Sequence, residues 1–543
     1  MPASEHRLPS TLPIIALLLL ALAAAASSLG NGFAYDDVPM VLENARVHAG
    51  SPLWTYLGQG YWPSGNGLAY RPVTVWLFSV QWSLGGGAPS VFHLVSFILY
   101  FGTTVTLFWV ACRMMPLWAA WLAAAVFTVH PVHVEAVANI VGQAELQAGL
   151  TTLLALLLYL KARQEDKMTP ARLLGLTGLT LWAALAKEQG LLVPFVLLLA
   201  EVTIVPRQER LGIRLQRLAP LWVVLAAAVS IVLLLRHTVL GGLAGGMQAI
   251  ALSGASTGER MLTMLGVIPQ WARLLLWPSH LQADYSPPSL DRATAFGIPQ
   301  AFGVLLIIIV GAVIWRTWSR RPAIAFGGCF MILTLLPVSN LVVTTGIVLA
   351  ERTLYLPSIG LVLGLAAAGT VLARTPAFVR LSAVTAVLVL LGSGAWWSAH
   401  RQPVWYDNER LFRQTLTDAP NNYRAYWLWS RHLRAEGRID EAVDALLLST
   451  ELYANDPVVF EDLGQLQRER GQCDRAVEPL GRALAIDSTR IIARARLVQC
   501  LIRVGDLARA RQVAEAGLAQ GDSGFAAPIA RIDSLLTEPD SVP

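Results

Sequence analysis

Charge is scarce in this chain. Of 543 residues, 14% are Asp, Glu, Lys or Arg and 55% are hydrophobic. That balance excludes an ordinary soluble globular protein and points to an integral membrane one. Cysteine is nearly absent. Cys112, Cys329, Cys473 and Cys500 form no CxxC pair and no zinc-ligand spacing, so neither a disulfide framework nor a structural zinc site is encoded. Cys112 and Cys329 lie in apolar runs and read as core residues. Cys473 and Cys500 read as buried thiols, with pairing open only in an oxidising compartment. The basic surplus is a mere +5. It falls in loops between apolar runs, so membrane topology explains it and no nucleic-acid partner is called for.

Apolar runs are what the chain has in abundance. Eleven can be read, at about residues 11–29, 91–112, 116–129, 137–160, 171–186, 189–205, 218–236, 297–315, 322–338, 354–373 and 379–398. The first follows Arg7 and ends in alanines, so it resembles a signal peptide and is equally long enough to span a bilayer. With the N-terminus inside, the inner loops hold Arg113; Lys161, Arg163, Lys167 and Arg172; Arg207, Arg210, Arg214 and Arg217; Arg316, Arg320 and Arg321; and Arg374 and Arg380. Loop after loop this obeys the positive-inside rule. An odd number of spans then puts the C-terminus outside. The expected location is the inner or plasma membrane, with residues 401–543 forming an extracytoplasmic (periplasmic) domain. Two further apolar stretches are too short or too charged to span. Residues 72–84 read as an amphipathic interfacial helix with aromatics in the interfacial belt, and 261–277, with Arg273 mid-run, as re-entrant or interfacial.

The outer side carries few charges, and several sit in otherwise apolar sequence. Asp36 and Asp37 follow the first run directly, where a carboxylate near hydrocarbon is costly and marks a functional candidate. Arg71 precedes Pro72. His130, His133 and Glu135 lie between the third and fourth runs, and Glu145 is expected about three turns into a continuous fourth helix. HxxH followed by Glu leaves room for a divalent metal. Pro131 lies between the histidines, however, and no third ligand is set by spacing, so contacts to a phosphate or sugar, or between helices, are the favoured reading. Lys187 and Glu188 separate the fifth and sixth runs, either as a structural ion pair or as a cation for an anionic ligand. Glu351, Arg352 and Tyr355 open the tenth. Glu351 can neutralise Arg352, but a guanidinium at the outer end of a span is also a phosphate clamp.

Residues 401–543 are rich in Arg, Asp, Glu and Ala. Gly437, Gly471 and Gly505 recur every 34 residues, and so do Ala442, Ala476 and Ala510. That period, with Gly at the inter-helix turn and Ala at the helix crossing, defines tetratricopeptide repeats, near 423–456, 457–490 and 491–524. A helix at about 408–418 is expected to tie them to the membrane domain, residues 1–400. The groove of stacked repeats binds peptide or protein, or the array is a spacer.

Taken in order, Tyr35-Asp36-Asp37, Tyr70-Arg71-Pro72, HPVHVEAVANIVGQAEL at 130–146, AKEQG at 186–190, ERTLYLPSIG at 351–360 and the repeats resemble the transmembrane O-mannosyltransferases with tetratricopeptide repeats and their bacterial relatives. The resemblance covers nearly the whole chain and implies the glycosyltransferase C superfamily. The implied fold is all-α, a polytopic membrane bundle of about 11 spans with a large first outer loop (30–87), followed by a soluble α-solenoid. The implied activity is transfer of a sugar, mannose in the eukaryotic members, from a polyprenyl-phosphate donor to a hydroxyl of a protein acceptor on the extracytoplasmic side, by single displacement with inversion. Asp36 is the expected base, with Asp37 orienting the acceptor or sharing that role. Arg71, Arg352, His130, His133 and Lys187 are expected to bind the donor phosphate, and Glu135, Glu145, Glu188 and Tyr355 to position substrates. Expected partners are the membrane, the lipid-linked donor and a protein or peptide acceptor held by the repeats. The competing reading is a non-catalytic membrane scaffold whose repeats recruit partners. A transporter is disfavoured by the long first outer loop and by the lack of internal repeats among the spans.

Overall fold

The computed structural model of the chain describes residues 11–63, 69–206, 209–242 and 248–537, without the side chains of Leu372 and Arg374. Arg7, Arg207 and the Arg374 side chain, read as inner-face cations, lie outside the described residues. The described chain is helical throughout with no strand. It divides into two compact units, 1–283 with 292–411, and 284–291 with 412–543.

In the first unit every predicted apolar segment is helical. Seven helices are long and apolar enough to cross a membrane, or eight if Leu117–Val129 and Pro131–Ala138, bent by 53°, count as one span. Pro170–Ala186 and Pro322–Val338 are shorter apolar helices, and Val193–Thr203 is shorter still. The core is a continuous cluster that runs from Leu17 through Phe108, Phe127, Leu153 and Leu197 to Phe330 and Leu363. Glycine permits the closest crossing: a Cβ on Gly327 would stand 2.5 Å from the Gly360 carbonyl oxygen, the small-residue contact typical of membrane helix pairs. Two basic loops converge on one buried carboxylate. Arg163 Nε and Arg214 Nε donate to Glu201 at 3.0 and 2.7 Å, and Tyr159 donates at 2.5 Å.

Two expected elements differ. Pro72–Gly85 is a helix, with Pro72 in its first turn as anticipated, but it is not amphipathic. Pro72, Val73, Thr74 and Val75 are all buried, so every face of its first turn packs inside the protein. Thr74 donates to the Ala186 carbonyl and Gln81 pairs with Gln143. The loop aromatics Tyr56, Tyr61 and Phe78 pack with Met40 and Val47, and with Phe92, Ile140 and Val141 from beyond the loop, in a small core rather than a belt at the surface. The second difference is the fourth run. The helix breaks at Asn139, a short turn covers Ile140–Gly142, and a new helix starts at Gln143. Glu145 is therefore in a first turn, not three turns deep. The break is tight: a Cβ on Gly142 would meet the Ala136 oxygen at 2.4 Å. Thr257–Leu276 is one helix with a single buried stripe (Thr263, Met264, Val267, Trp271, Leu274, Leu275) and Arg273 in its last turn.

In the second unit three helical hairpins begin at Tyr423, Pro457 and Ile491. Gly437, Gly471 and Gly505 take φ of 78, 76 and 83° at their turns, the left-handed region where L side chains are strained. Ala442, Ala476 and Ala510 are fully buried at the crossings. Cys473 and Cys500 are buried free thiols whose Sγ atoms stand 2.8 Å apart.

Candidate active site

Charges that are far apart in sequence meet in the first unit. Asp36 begins the assembly. Tyr35, just before it, has φ 55°, a rare conformation for a non-glycine residue and one retained where the surroundings over-determine it. Its N–H donates to Asn408 Oδ1 at 2.6 Å. The following turn is widened, with Glu43 N–H donating to the Val38 oxygen. Asp36 Oδ2 lies 3.6 Å from Arg352 Nη1.

Arg352 is the hub. Its backbone N–H and its Nη1 both donate to Glu135, at 2.8 and 2.9 Å, and its Nε lies 3.8 Å from Glu145 Oε1. Glu145 in turn pairs with Lys187, both buried. The neighbouring Glu188 accepts from Arg71 Nε and Nη2 at 3.1 and 2.9 Å and from Arg236 Nη1 at 3.2 Å. Burial alone would raise the Glu188 carboxyl; Arg71 and Arg236 outweigh it and hold it at about 2. Lys187 is also held below its ordinary value, its ammonium disfavoured by burial against the pull of Glu145. Asp36, Glu135, Arg352, Glu145 and Lys187 thus share one set of ion pairs, and Arg71, Glu188 and Arg236 form a second, adjoining it in the chain at Lys187 and Glu188. Arg236 stands outside the candidates drawn from the sequence; its position at the end of the apolar run 218–236 was the available signal.

The remaining candidates stand elsewhere. Asp37 was expected to orient the acceptor or share the base role. Its side chain is instead 1% exposed, and both oxygens accept backbone N–H groups, Oδ2 from Ile140 at 3.1 Å and Oδ1 from Val141 at 2.9 Å. It pins the first outer loop to the broken helix. Burial, with Asp36 adding to it, pushes its carboxyl up to about 8 despite those amides. His130 and His133 face the helix packing: His130 Nε2 is 2.9 Å from the Leu275 oxygen and its Nδ1 accepts from Val132 N–H, while His133 bonds Ser358 Oγ at 2.9 Å and Tyr100. Among the described residues no third potential metal ligand joins them. Tyr355 is fully buried, its ring 5.0 Å from that of His133 and against Gly149. Glu351 accepts from the Gln282 N–H at 2.6 Å.

An arrangement of this kind, with cations already held by carboxylates and one carboxylate at the edge, can receive an anionic group and remove a proton beside it. No family model matches the chain. It is similar to protein O-mannosyl-transferase TMTC3 of Mus musculus, 26% identical over 89% of this chain and 55% of that protein, and to TMTC1 of Homo sapiens, 27% identical over 82% and 55%. Tmtc2 of Drosophila melanogaster is 33% identical over 51% of this chain and 30% of its own length. The chain spans about half the length of the curated relatives it matches. Solved structures that align with it include an Archaeoglobus fulgidus oligosaccharyltransferase tethered with an acceptor peptide (TM-score 0.46, 12% identity, 80% of this chain and 59% of that one). ArnT of Cupriavidus metallidurans bound to undecaprenyl phosphate also aligns (TM-score 0.35, 14% identity, 93% and 80%).

Proposed function

We propose that this chain, a relative of the protein O-mannosyl-transferases along most of its length, is an integral-membrane glycosyltransferase. It moves a sugar, mannose by the relatives' names, from a polyprenyl-phosphate donor to a hydroxyl of a protein acceptor on the extracytoplasmic side. The observation that carries the reading is the set of ion pairs joining Asp36, Glu135 and Glu145 to Arg352 and Glu145 to Lys187, with the Arg71–Glu188–Arg236 cluster adjoining at Glu188.

The reaction needs a base for the acceptor and cations for the leaving phosphate. Asp36, partly exposed and 3.6 Å from Arg352 Nη1, takes the acceptor hydroxyl proton as that oxygen bonds to the anomeric carbon. The anomeric C–O bond to phosphate breaks, its electron pair stays on the phosphate, and the configuration inverts. Arg352, Arg71 and Lys187 stabilise the charge left there; because they stand ready in a water-poor site, little reorganisation is required. Glu135, Glu145 and Glu188 hold these cations in place. Asp37, His130, His133 and Tyr355 support the frame rather than the chemistry. The second unit, with the helix and glycine spacing of tetratricopeptide repeats, recruits the acceptor outside the membrane. The convergence of two basic loops on Glu201, away from the Asp36 network, supports the inside-outside assignment.

The test is incubation of the reconstituted chain with polyprenyl-phosphate mannose and exported proteins. Mannose linked to Ser or Thr is the expected product. Absence of donor-dependent transfer to any exported protein, with the chain folded, would sink the reading in favour of a scaffold.

A further inference from the structure

The first outer loop places one polar group among the network charges for which the fold gives no use. Tyr61 is 3% exposed. Among the described residues its phenol oxygen is buried and has no hydrogen-bond partner. Leaving a buried hydroxyl unsatisfied is destabilising, and phenylalanine would fill the same space without that cost. Four contacts nevertheless fix the residue. Its N–H donates to the Ala69 oxygen at 2.8 Å, its carbonyl accepts from Arg46 Nη2 at 2.9 Å, Trp62 meets its ring edge-on at 5.6 Å, and the Arg71 guanidinium carbon sits 4.9 Å from its ring centre. The charges that act on it are Arg71, Asp36, Glu145 and Arg352, drawn from four stretches of chain and all members of the two sets of ion pairs. Burial keeps the phenol protonated, so in this setting it is a hydrogen-bond donor lacking an acceptor.

From this we infer that the Tyr61 hydroxyl donates a hydrogen bond to a phosphate oxygen of the lipid-linked donor, beside Arg71, and so positions that phosphate. The inference rests on the transferase reading only for the identity of the phosphate's carrier.

The experiment measures binding to the full chain in lipid nanodiscs, with three probes: a polyprenyl monophosphate, the corresponding polyprenol, and inorganic phosphate. Tyr61→Phe is expected to weaken polyprenyl monophosphate binding about tenfold, the worth of a hydrogen bond to a charged group, and to leave polyprenol binding unchanged. Its melting temperature should equal or exceed that of the unsubstituted protein, because a stranded hydroxyl is removed. In the transfer assay the donor KM should rise by a similar factor with kcat little changed. A parallel loss for inorganic phosphate shows a contact to the phosphate itself and supports the inference. Equal affinity for the monophosphate, a matching loss for polyprenol, or a lowered melting temperature would each overturn it. The two readings separate: a chain that binds the monophosphate in a Tyr61-dependent way yet transfers no sugar keeps this inference and loses the transferase. A chain that transfers sugar while Tyr61→Phe binds normally does the reverse.

Discussion

The two units of this chain use the same ion pairs under opposite conditions. In the first, Glu135 is 2% and Arg352 19% exposed; in the second, Arg438 and Glu441 pair at 2.6 Å with 34 and 58% exposure. Geometry is equally good in both. What differs is water. A buried carboxylate that loses its partner leaves an uncompensated charge, whereas an exposed one is solvated at once and contributes little. The first unit therefore depends on its charges and the second on backbone fit and small residues. Its buried Glu461 is an exception, held by Arg490 and Arg496 at 2.6 and 2.9 Å.

The comparison can be broken at several points, beginning where the effect should be greatest. Asp36→Asn, isosteric and at the edge of the network, is expected to lower transfer by about 10²–10⁴-fold, the span general-base catalysis supplies, with the melting temperature nearly unchanged. Full activity would remove Asp36 from the base role. Glu135→Gln strands Arg352 in part and is expected to destabilise the first unit by about 3–5 kcal/mol, read by thermal unfolding in detergent. A loss as small as that of a surface pair would erase the contrast between the units.

Next comes Gly471→Ala. Nothing lies within 4 Å of the added Cβ, but φ is +76°, so a cost of about 1–2 kcal/mol is expected in the second unit, with transfer chemistry untouched for a soluble hydroxyl acceptor. Asp37 supplies a pH signature. Its folded value, about 8, lies above the ordinary 3.8, so its contribution is complete below the ordinary value and is lost as pH rises towards 8. Melting temperatures across pH 5–9 should fall for the unsubstituted chain and flatten for Asp37→Asn; identical slopes would refute the assignment. Glu441→Ala, last in size, should leave the melting temperature unchanged within error.

Much of the helical plan was legible because hydrophobic runs and glycine period are local properties. Gly437, Gly471 and Gly505 could be read as turns from spacing alone, and Arg71, Lys187 and Arg352 as candidates because a cation in apolar surroundings needs a reason. Asp36 was legible for the same cause. Asp37 was not separable from it: two adjacent carboxylates look alike in sequence, and only contact with Ile140 and Val141, over a hundred residues on, makes one a cap. The break at Asn139 was hidden because the apolar residues beside it, Val137, Ala138, Ile140 and Val141, satisfy a continuous helix equally well. Tyr61 carried no signal in the sequence, since a phenol's missing partner is visible only once everything around it is placed.

By itself, then, the sequence determined that the chain is a helical membrane protein with a periodic helical tail, because apolar runs and turn glycines act through the solvent and the local backbone. Tertiary structure alone decided which charges neutralise which. Coulomb and hydrogen-bond energies depend on distance in space and on burial, and for Asp36 with Arg352, or Arg71 with Glu188, both arise only when helices remote in sequence pack together.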